Sequence, residues 1–483
     1  MNIQLISHEL LVLLLGLAVL VADLWLPVER RRSLGYAAAA GLGLVLLYSL
    51  LAVRVGPGEV QYAFSQMYAL DALALFFKRF FLVAGILVLL MSVEYSSEFA
   101  AGQSEYFSLT LFALLGMLFA SSANDFALLF VSLELITITF YVLTSFQRKR
   151  LTSLEAGVKY LVIGALSTGF TVYGIALVFG LSGRFNFNEL AGVAGAYATN
   201  KLFLLGLLMI FVGLGFKIAA FPFQVWAPDV YQGAPTPTTA FLAVGSKAAG
   251  FVLLLRVFFT AVPDIVEHWS NLLIIVAAIT ILYGNLCAIP QRNLKRLMGY
   301  SSIAHAGYLL LGVAALSTAG QAAVLYYLAG YLFTVLGAFT VICLVMREIQ
   351  AEDISGLAGL NQRSPLLAST MTLAMVSLAG LPPMAGFFGK FLLLKSVIEQ
   401  GGSQPGYYCL AFVAIAGVVI SFYYYFGVIR AIYWSRHPAD LSPIPVSKPL
   451  RVALYACIAG MFYLGMFPGA LVNLTQQAVQ VLK

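Results

Sequence analysis

Charged residues are scarce in this chain. Only 10% of its 483 residues are Asp, Glu, Lys or Arg, whereas 61% are hydrophobic. Soluble domains carry about 25% charged residues, so the composition excludes an ordinary soluble protein and predicts a membrane protein. The formal net charge of +7 does not indicate nucleic-acid binding, because the basic residues cluster in short loops between apolar stretches.

Clustered cysteines are absent as well. The four cysteines lie far apart in apolar segments, without a Cys-x-x-Cys pair: they are Cys287, Cys343, Cys409 and Cys457. Iron–sulfur and zinc sites need clustered thiolates, and no Gly-x-Gly-x-x-Gly segment is present to cradle a nucleotide. We therefore expect this chain to bind no cofactor and no metal ion of its own.

Long apolar stretches take up most of the chain. A membrane-spanning helix needs about 20 apolar residues. The first stretch has no basic region before it and no small-residue cleavage site after it, which favours a retained span over a signal peptide. The sequence predicts an all-α polytopic membrane protein with about 14 transmembrane helices. The candidates are residues 8–27, 34–53, 70–92, 106–122, 124–146, 155–181, 202–227, 237–262, 271–289, 297–316, 322–346, 365–399, 407–433 and 450–472.

The basic loop residues predict an orientation. Fifteen lie in loops on one side of the predicted bundle and four on the other. Because cytoplasmic loops carry the excess of Lys and Arg, the larger set is expected in the cytoplasm, and an even number of spans then places both termini in the periplasm. The larger set is Arg30, Arg31, Arg32, Arg148, Lys149, Arg150, Arg292, Lys295, Arg296, Arg347, Arg363, Arg430, Arg436, Lys448 and Arg451, and the smaller set is Arg54, Arg184, Lys201 and Lys483.

Two apolar segments are interrupted by proline and glycine beside a lysine. The seventh contains Lys217 and Pro222, and the twelfth contains Pro382, Pro383 and Lys390. Proline removes a helical hydrogen bond, and non-helical backbone at membrane depth needs protein or a wet cavity beside it. We therefore expect breaks near residues 217–222 and 382–389. Interrupted segments five spans apart indicate two inverted five-helix repeats, each with a broken helix.

These repeats divide the chain into four predicted regions. Residues 1–105 would hold helices 1–3, and residues 106–262 the first repeat, helices 4–8. Residues 263–433 would hold the second repeat, helices 9–13, and residues 434–483 a loop and helix 14. The division depends on the matching positions of the two breaks, because the residue-level similarity between the halves is weak.

Several ionisable side chains fall inside the predicted spans. An ionisable group at mid-bilayer costs a few kcal/mol, so a series of them on separate segments predicts a path for charge. At 1.5 Å per helical residue, they lie roughly 13–15 Å from a membrane face, which indicates a row in the membrane plane rather than a channel straight across. The residues are Glu134, Lys159, Lys217, Lys247, His305 and Lys390.

Lysine and glutamate suit proton transfer, because burial disfavours their charged forms and a nearby opposite charge restores them. Simpler explanations stay open. Lys217, Lys247 and Glu134 could form structural ion pairs, and His305 could be a core histidine with satisfied ring nitrogens. Arg256 and Lys395 are expected to extend to the membrane interface. Lys78 and Arg79 are expected either to face lipid near the interface or to have a functional role.

Several short motifs resemble the antiporter-like subunits of respiratory complex I, the NADH:quinone oxidoreductase. They cover the fourth to the thirteenth predicted span. The sequence that follows Pro222, together with a length that leaves no long C-terminal helix, is most similar to the N subunits of this family in bacteria. The motifs are Ser132-Leu-Glu134-Leu, Leu154-Glu155-Ala-Gly-Val-Lys159-Tyr, Gly213-Leu-Gly-Phe-Lys217, Pro222-Phe-Gln-Val-Trp-Ala-Pro-Asp229-Val-Tyr-Gln-Gly233-Ala-Pro-Thr-Pro237, Ser246-Lys247, Tyr300-Ser-Ser-Ile-Ala-His305-Ala-Gly-Tyr308 and Gly386-Phe-Phe-Gly-Lys390-Phe.

The resemblance implies a fourteen-helix proton-pumping module. By this resemblance Glu134 and Lys217 form the proton-loading pair, and Lys247 is the relay. Lys390 corresponds to the lysine of the second half-channel, in preference to Lys395.

The resemblance also implies auxiliary residues and partners. Lys159 and His305 would be auxiliary members of the relay. NADH, FMN, iron–sulfur clusters and quinone would bind other membrane-arm and peripheral subunits, while this chain meets lipid and protons in a bacterial inner (plasma) membrane. Two alternatives remain: a subunit of a cation/proton antiporter that works without electron transfer, and a scaffold subunit of the same complex whose lysines are structural.

Overall fold

The computed structural model of the protein describes residues 3–99, 101–349, 352–434 and 441–482. Regular structure in these residues consists almost entirely of helices. Helices α1–α10 are Ser7–Ala22, Arg32–Leu51, Ala72–Tyr95, Gln103–Ser121, Phe126–Thr144, Leu151–Ser182, Phe187–Ala194, Lys201–Ile218, Ala227–Gly233 and Thr236–Phe241. Helices α11–α20 are Lys247–Arg256, Ser270–Ala288, Leu294–Ala314, Thr318–Ile349, Leu360–Arg363, Pro365–Ala379, Ala385–Gln400, Gly406–Tyr433, Lys448–Met466 and Gly469–Ala478. Strands β1, Val60–Ala63, and β2, Tyr68–Asp71, form an antiparallel hairpin.

The helices account for the predicted crossings. Thirteen helical segments of the described residues are long and apolar enough to cross a membrane. Helix α16 is a shorter apolar helix, which α17 continues after a break, and this pair completes fourteen. The predicted all-α polytopic fold is therefore confirmed. The span Thr236–Ala261 and helix α13 are the most buried crossings, whereas only about a third of the residues are buried in the crossings formed by α1, α6 and α19. Two of the six candidate site residues, Lys247 and His305, lie on these two most buried crossings.

The first predicted break exists, but it begins later than predicted. Helix α8 ends at Ile218, so Lys217 is still helical, and Ala219 turns the chain with a left-handed φ of 57°. The helix resumes as α9 only at Ala227. Side chains satisfy part of the freed backbone, since Trp226 Nε1 donates to the carbonyl of Phe216 at 3.0 Å. The correction has a simple reason: Pro222 lies a few residues beyond the end of the helix, as prolines after helix C-termini often do.

The second break is shorter than predicted. Helix α16 ends at Ala379, and Gly380 follows with a left-handed φ of 87°, the conformation in which glycine commonly ends a helix. Helix α17 begins at Ala385, so Gly386 and Gly389 lie inside a helix and not in the break. Gly386 instead permits close packing, because a Cβ there would lie 1.8 Å from the carbonyl oxygen of Ser377.

The eighth crossing is one buried helix with two irregular turns. Its segments are α10, a π turn at Leu242–Ser246, α11 and a second π turn at Val257–Ala261. Lys247 is the first residue after the first π turn. Single π turns within α-helices often occur at functional sites, and the sequence pattern gave no indication of this one.

Three elements are shorter than a membrane span, so the length of the apolar stretches did not predict them. The β1–β2 hairpin and the amphipathic helix α7 lie at one end of the bundle, where the side-chain amides of Asn124 and Asn186 both donate to the carbonyl of Gln66 at 2.9 and 3.0 Å. The last predicted span, residues 450–472, is in fact α19 followed by the short helix α20, which packs on α14 and α3. Two of the basic residues used to predict the orientation, Arg436 and Lys483, lie outside the described residues.

Two buried ion pairs, one within the first three spans and one between the start of the third span and the eighth, were not predicted from the sequence. Lys78 is fully buried, and its Nζ lies 2.5 Å from Glu9 Oε1. Arg256 is also buried and donates to both carboxylate oxygens of Asp71 at 2.9 and 3.0 Å. The expectations that Lys78 faces lipid and that Arg256 extends to the interface are therefore wrong. Each cation has a carboxylate partner on a distant part of the chain.

A strap of residues 352–357 crosses the other end of the bundle. The Glu352 carboxylate accepts hydrogen bonds from Arg150 Nη2 at 2.9 Å and Asn293 Nδ2 at 2.8 Å. Its backbone carbonyl accepts from the amide of Leu294 at 2.8 Å. The strap therefore ties the start of α6 to the start of α13.

Candidate functional site

One face of α13 forms the centre of the candidate site. Ser301, Ser302, His305 and Tyr308 are all buried, and their spacing places them along one side of the helix, because positions three and four apart share a face. These are residues of the motif that begins at Tyr300. This α13 face contacts lysines from two different halves of the chain.

Lys247 lies against the first end of the α13 face. Its Nζ donates to both the carbonyl oxygen and Oγ of Ser302, and the residue is only 1% exposed. The hydroxyls of Tyr231 and Tyr331 each lie 3.1 Å from the same Ser302 Oγ. A buried lysine, a serine and two tyrosines thus share one hydrogen-bonded cluster.

His305 occupies the middle of the face. Its Nδ1 contacts the Tyr327 hydroxyl, and its Nε2 lies 2.9 Å from the Tyr425 hydroxyl. That hydroxyl in turn lies 2.5 Å from Ser301 Oγ. Both ring nitrogens therefore have partners, as the core-histidine alternative requires, but every partner is itself able to donate and to accept a proton.

Lys390 lies at the far end of the face. Its Nζ donates to the carbonyl of Leu378 at 2.7 Å and to that of Ala379 at 3.3 Å. These are final carbonyls of α16, freed by the break, and the negative end of a helix dipole favours a cation. The same Nζ lies 4.6 Å from the centre of the Tyr308 ring. Lys390 is 4% exposed, whereas Lys395 is exposed and lies 3.7 Å from Glu399.

Glu134 and Lys217 line a common small cavity but do not form an ion pair. The Glu134 carboxylate accepts a hydrogen bond from Thr168 at 2.7 Å. Lys217 Nζ is buried and has no hydrogen-bond partner among the described residues; the centre of the Tyr160 ring is 5.8 Å away. The cavity between them measures about 10 Å³, the space that roughly one water molecule needs. Glu134 and Lys217 are therefore separated by a cavity of about the size of one water molecule.

Between Lys217 and Lys247 the protein contains buried hydroxyls without partners. The Tyr160 hydroxyl and Ser246 Oγ are both buried, and neither has a hydrogen-bond partner within the part of the chain that the structure describes. The backbones approach closely here, since a Cβ on Gly250 would lie 3.1 Å from Lys217 Cβ. Buried polar groups without protein partners are usually hydrogen-bonded to bound water, so this region has the chemistry of a hydrated link.

Lys159 lies apart from the other candidates. Its Nζ is 2.6 Å from Asp229 Oδ2 and 2.7 Å from Glu155 Oε1, and its side chain is 40% exposed on the outer side of α6. Asp229 also pairs with Arg296. Asp229 belongs to the same motif as Pro222, so the structure joins two of the sequence motifs through an ion network. It does not join Lys159 to Lys217 or Lys247.

Besides Lys78, the buried Lys295 was not among the candidates. Lys295 is 1% exposed, donates to the carbonyl of Ala234 at 2.8 Å, and lies 3.9 Å from the strap carboxylate of Glu352. Burial raises the pKa of Glu352, but Lys295, Asn293 and Arg150 together outweigh burial, so the pKa lies below its ordinary value. The strap therefore carries a negative charge at neutral pH.

The tyrosines of the site carry no charge and were therefore not predicted from the sequence. Tyr231, Tyr327, Tyr331 and Tyr425 make most of the polar contacts to Ser302 and His305. The only available signal was the number of tyrosines, 25 in the chain. In the described residues, no group of three or more His, Cys, Asp or Glu side chains is placed to hold a metal ion. The chemistry that these residues offer is proton exchange among ammonium, imidazole and hydroxyl groups.

Comparison with known families agrees with this chemistry. Residues 123–420 match the family model described as NADH:quinone oxidoreductase/Mrp antiporter, TM. The chain belongs to this family. The match includes all six candidate residues, from Glu134 to Lys390, and confirms the resemblance seen in the motifs.

Members of the NADH:quinone oxidoreductase/Mrp antiporter family are similar to this chain over its full length. The NADH-quinone oxidoreductase subunit N of Moorella thermoacetica is 41% identical over 472 residues, which cover 98% of this chain and 97% of that protein. A chain in the structure of respiratory complex I from Thermus thermophilus with bound aureothin is 32% identical, with a TM-score of 0.80, and the match covers 97% of this chain and 99% of that one.

A more distant member shares the fold alone. A chain of the Mrp complex from Dietzia sp. DQ12-45-1b has a TM-score of 0.83 at 24% identity, and the match covers 98% of this chain but 52% of that one. The full-length similarity to subunit N therefore places this chain nearer to the oxidoreductase members of the family.

Proposed function

We propose that this chain is a proton-translocating membrane-arm subunit of a bacterial NADH:quinone oxidoreductase. The observation that carries the proposal is the buried α13 face, on which Ser302, His305 and Tyr308 connect Lys247 of the first half with Lys390 of the second half. A structural scaffold has no need for cations at mid-membrane, since each costs a few kcal/mol there.

The proposed path begins at Glu134. A proton that reaches the cavity beside Glu134 is taken up by Lys217. It then passes through the Tyr160 and Ser246 region to Lys247. Hydrogen bonds already connect Lys247 to Ser302, so the next transfer needs no large side-chain movement.

The second half of the path follows the α13 face. The Tyr331 hydroxyl donates to Ser302 Oγ, and the Tyr331 ring packs against the His305 ring with 5.2 Å between the ring centres. Tyr327 and Tyr425 contact the two ring nitrogens of His305. Lys390 is the last member, held by carbonyls at the end of α16. Each step moves one proton between a nitrogen and a neighbouring oxygen or nitrogen, and no electron is transferred on this chain.

The partners and location follow from the same proposal. NADH, FMN, iron–sulfur clusters and quinone bind other membrane-arm and peripheral subunits, whose electron transfer drives the proton path. The chain crosses the inner membrane with both termini in the periplasm. Lys159, with its exposed ion network on α6, is an auxiliary relay member at the edge of the path.

A lysine substitution in the purified, assembled complex tests the proposal. Lys247→Met removes the titratable group and keeps an apolar stem, so proton pumping per NADH should be largely lost. Electron transfer from NADH to a soluble acceptor should continue, because it uses the peripheral subunits. Lys395→Met is the matched control, since Lys395 is exposed and lies on the same helix as Lys390, and it should pump normally.

Two results would contradict the proposal. Normal pumping by a fully assembled Lys247→Met complex would favour the scaffold alternative. Purification in mild detergent without any NADH-oxidising subunit, together with proton exchange driven by a cation gradient, would favour the antiporter alternative.

A further inference from the structure

A groove elsewhere in the bundle shares no lining residue with the candidate site. It measures about 330 Å³ and runs between α2, α3, α14 and α20. Its α3 wall consists of Ala72, Leu75, Phe76, Arg79, Phe80 and Val83. This is the spacing of one helical face. The remaining walls are mainly apolar, so the groove suits a hydrocarbon chain.

Arg79 is the single cation of the groove lining. Its Nη2 donates to the carbonyls of Ser49 and Val53 at 2.7 and 3.0 Å, and its Nε lies 3.2 Å from Ser49 Oγ. Nη1 has no hydrogen bond to any described residue. These acceptors lie in the last turn of α2 and just beyond it, so the guanidinium sits at the level where that helix ends. Helix ends mark the headgroup region of a bilayer.

Arg79 also lacks a counter-ion. None of the described carboxylates lies within ion-pair distance of it, although it is only partly exposed. Four other cations in or against the N-terminal helices and the residues at their ends have a carboxylate partner, whereas the exposed Arg30 and Arg54 have none among the described residues. The pairs are Arg31 with Asp23, Arg32 with Glu94, Lys78 with Glu9 and Arg256 with Asp71.

We propose that this groove binds a membrane phospholipid, with its phosphate on Arg79 and one acyl chain along the α3 wall. The phosphate supplies the anion that the protein does not, and guanidinium binds phosphate through a planar fork of donors. The acyl chain covers Phe76, Phe80 and Val83, which otherwise face a gap between α2 and α14. Helix α20 closes the groove on one side through Leu474 and Gln477.

Native mass spectrometry of the purified complex tests the proposal. The delipidated complex is titrated with phosphatidylglycerol and, separately, with diacylglycerol of the same acyl chains, which lacks the phosphate. The complex should bind phosphatidylglycerol with at least one site that diacylglycerol fills poorly. Arg79→Gln should weaken that site about tenfold, since a charge-assisted hydrogen bond is lost, and Arg79→Lys should weaken it less.

A second variant separates the headgroup from the acyl groove. Val83→Trp fills the deep end of the groove and keeps Arg79, so it should also reduce phosphatidylglycerol binding. Arg184→Gln is the control, because Arg184 is exposed and pairs only with Glu189, and it should bind as the parent does. Equal binding in the parent, Arg79→Gln and Val83→Trp complexes would overturn the proposal. So would a structure of the assembled complex in which a protein helix fills the groove.

Discussion

At the scale of single residues, hydroxyl groups are hydrogen-bond partners of both Lys247 and His305 on the α13 face. Lys247 reaches Ser302, and His305 reaches Tyr327 and Tyr425. A hydroxyl donates one hydrogen bond and accepts others, so it can pass a proton without holding a net charge. Carboxylates in the same positions would hold lysines as fixed ion pairs. Tyrosine and serine at these positions therefore favour the transfer of a proton over a fixed ion pair.

Substitution of Glu134 tests the first member of the proposed path. Glu134→Gln removes the negative charge that faces the cavity shared with Lys217, so proton pumping should fall, by about tenfold if the charge is worth about 1.4 kcal/mol to the ammonium form. Glu134→Asp keeps the charge and should retain much of the activity. Pumping by purified, fully assembled complexes gives the answer.

Assembly provides the control for Glu134. If Gln at this position only destabilised the fold, the complex would be recovered in lower yield and NADH oxidation with a soluble acceptor would fall in parallel. Normal pumping by both assembled variants would remove Glu134 from the path.

The buried pair of Lys78 and Glu9 predicts a large loss of stability on substitution. Lys78→Met leaves Glu9 as an uncompensated buried carboxylate, which costs about 3–5 kcal/mol. The double variant Lys78→Met, Glu9→Gln removes both charges and should recover much of that loss. Thermal unfolding in mild detergent, followed by the soluble fraction on size exclusion, measures the difference. Equal melting of the single and double variants would show that the pair contributes no coupling.

At the level of residues, the sequence pointed to buried lysines where one residue is anomalous by itself, and their role in proton transfer stays a prediction. Lys217, Lys247 and Lys390 were identifiable because a lysine inside an apolar span needs a reason. Lys78 was misread because its partner, Glu9, lies 69 positions away, and a single sequence does not show which charges meet. The tyrosines of the α13 cluster were missed because tyrosine is ordinary in a membrane helix.

At the scale of helices, the sequence predicted that two helices are broken, but not the residues at which they end. Proline and glycine beside a lysine indicated where regular helix fails. The true ends depend on which residue adopts the left-handed conformation, and these are Ala219 and Gly380. Sequence alone also did not reveal what the second break provides: the final carbonyls of α16 that hold Lys390. Lys217 precedes the break in its segment, whereas Lys390 follows the break in its own. The two predicted repeats therefore correspond in having a broken helix, but their lysines lie on opposite sides of the breaks.

The strap of residues 352–357 should loosen in acid. The pKa of Glu352 is lower in the folded protein than its ordinary value of 4.5. Its contribution to stability is therefore fully present above pH 4.5 and is lost as the pH falls through the folded-state pKa. Hydrogen exchange at the amides of Leu294 and Ile354, corrected for the intrinsic rate at each pH, should rise over that range.

Two glutamine variants make the strap prediction specific. Glu352→Gln should show fast exchange already at neutral pH and no further acid-dependent rise. Glu348→Gln changes a more exposed glutamate near the end of α14 and should behave as the parent does. An acid-dependent rise that survives in Glu352→Gln would assign the effect to another group.

At the scale of the whole molecule, the predicted orientation can be tested by labelling. A cysteine at exposed Lys201 should react with a membrane-impermeant thiol reagent added from the periplasmic side, and one at Arg150 should not. The natural Cys409 is exposed, so the experiment needs a Cys409→Ser background. The reverse pattern would contradict the orientation and the number of spans together.

The number of crossings was predictable from length and hydropathy, because lipid imposes both on every span. Arg150, Asn293 and Glu352 meet at one end of the bundle and Asp71, Ser121 and Arg256 at the other, as alternating crossings require. The division into residues 1–105, 106–262, 263–433 and 434–483 stays a prediction. How helices from distant parts of the chain share one core depends on side-chain packing, which no local pattern encodes.

The π turn at Leu242–Ser246 has a consequence for changes in chain length. Such a turn accommodates one residue more than an α-turn while the helix on either side keeps its angular register. Deleting one residue from the α-helical part of this crossing, outside its two π turns, would rotate everything beyond it by about 100°, and Lys247 or its neighbours would face the wrong helices. Deleting Val244 would instead convert the π turn into an ordinary one and leave both flanks facing their present partners. The most buried crossing, Thr236–Ala261, thus contains a position directly before Lys247 where a one-residue deletion can be absorbed.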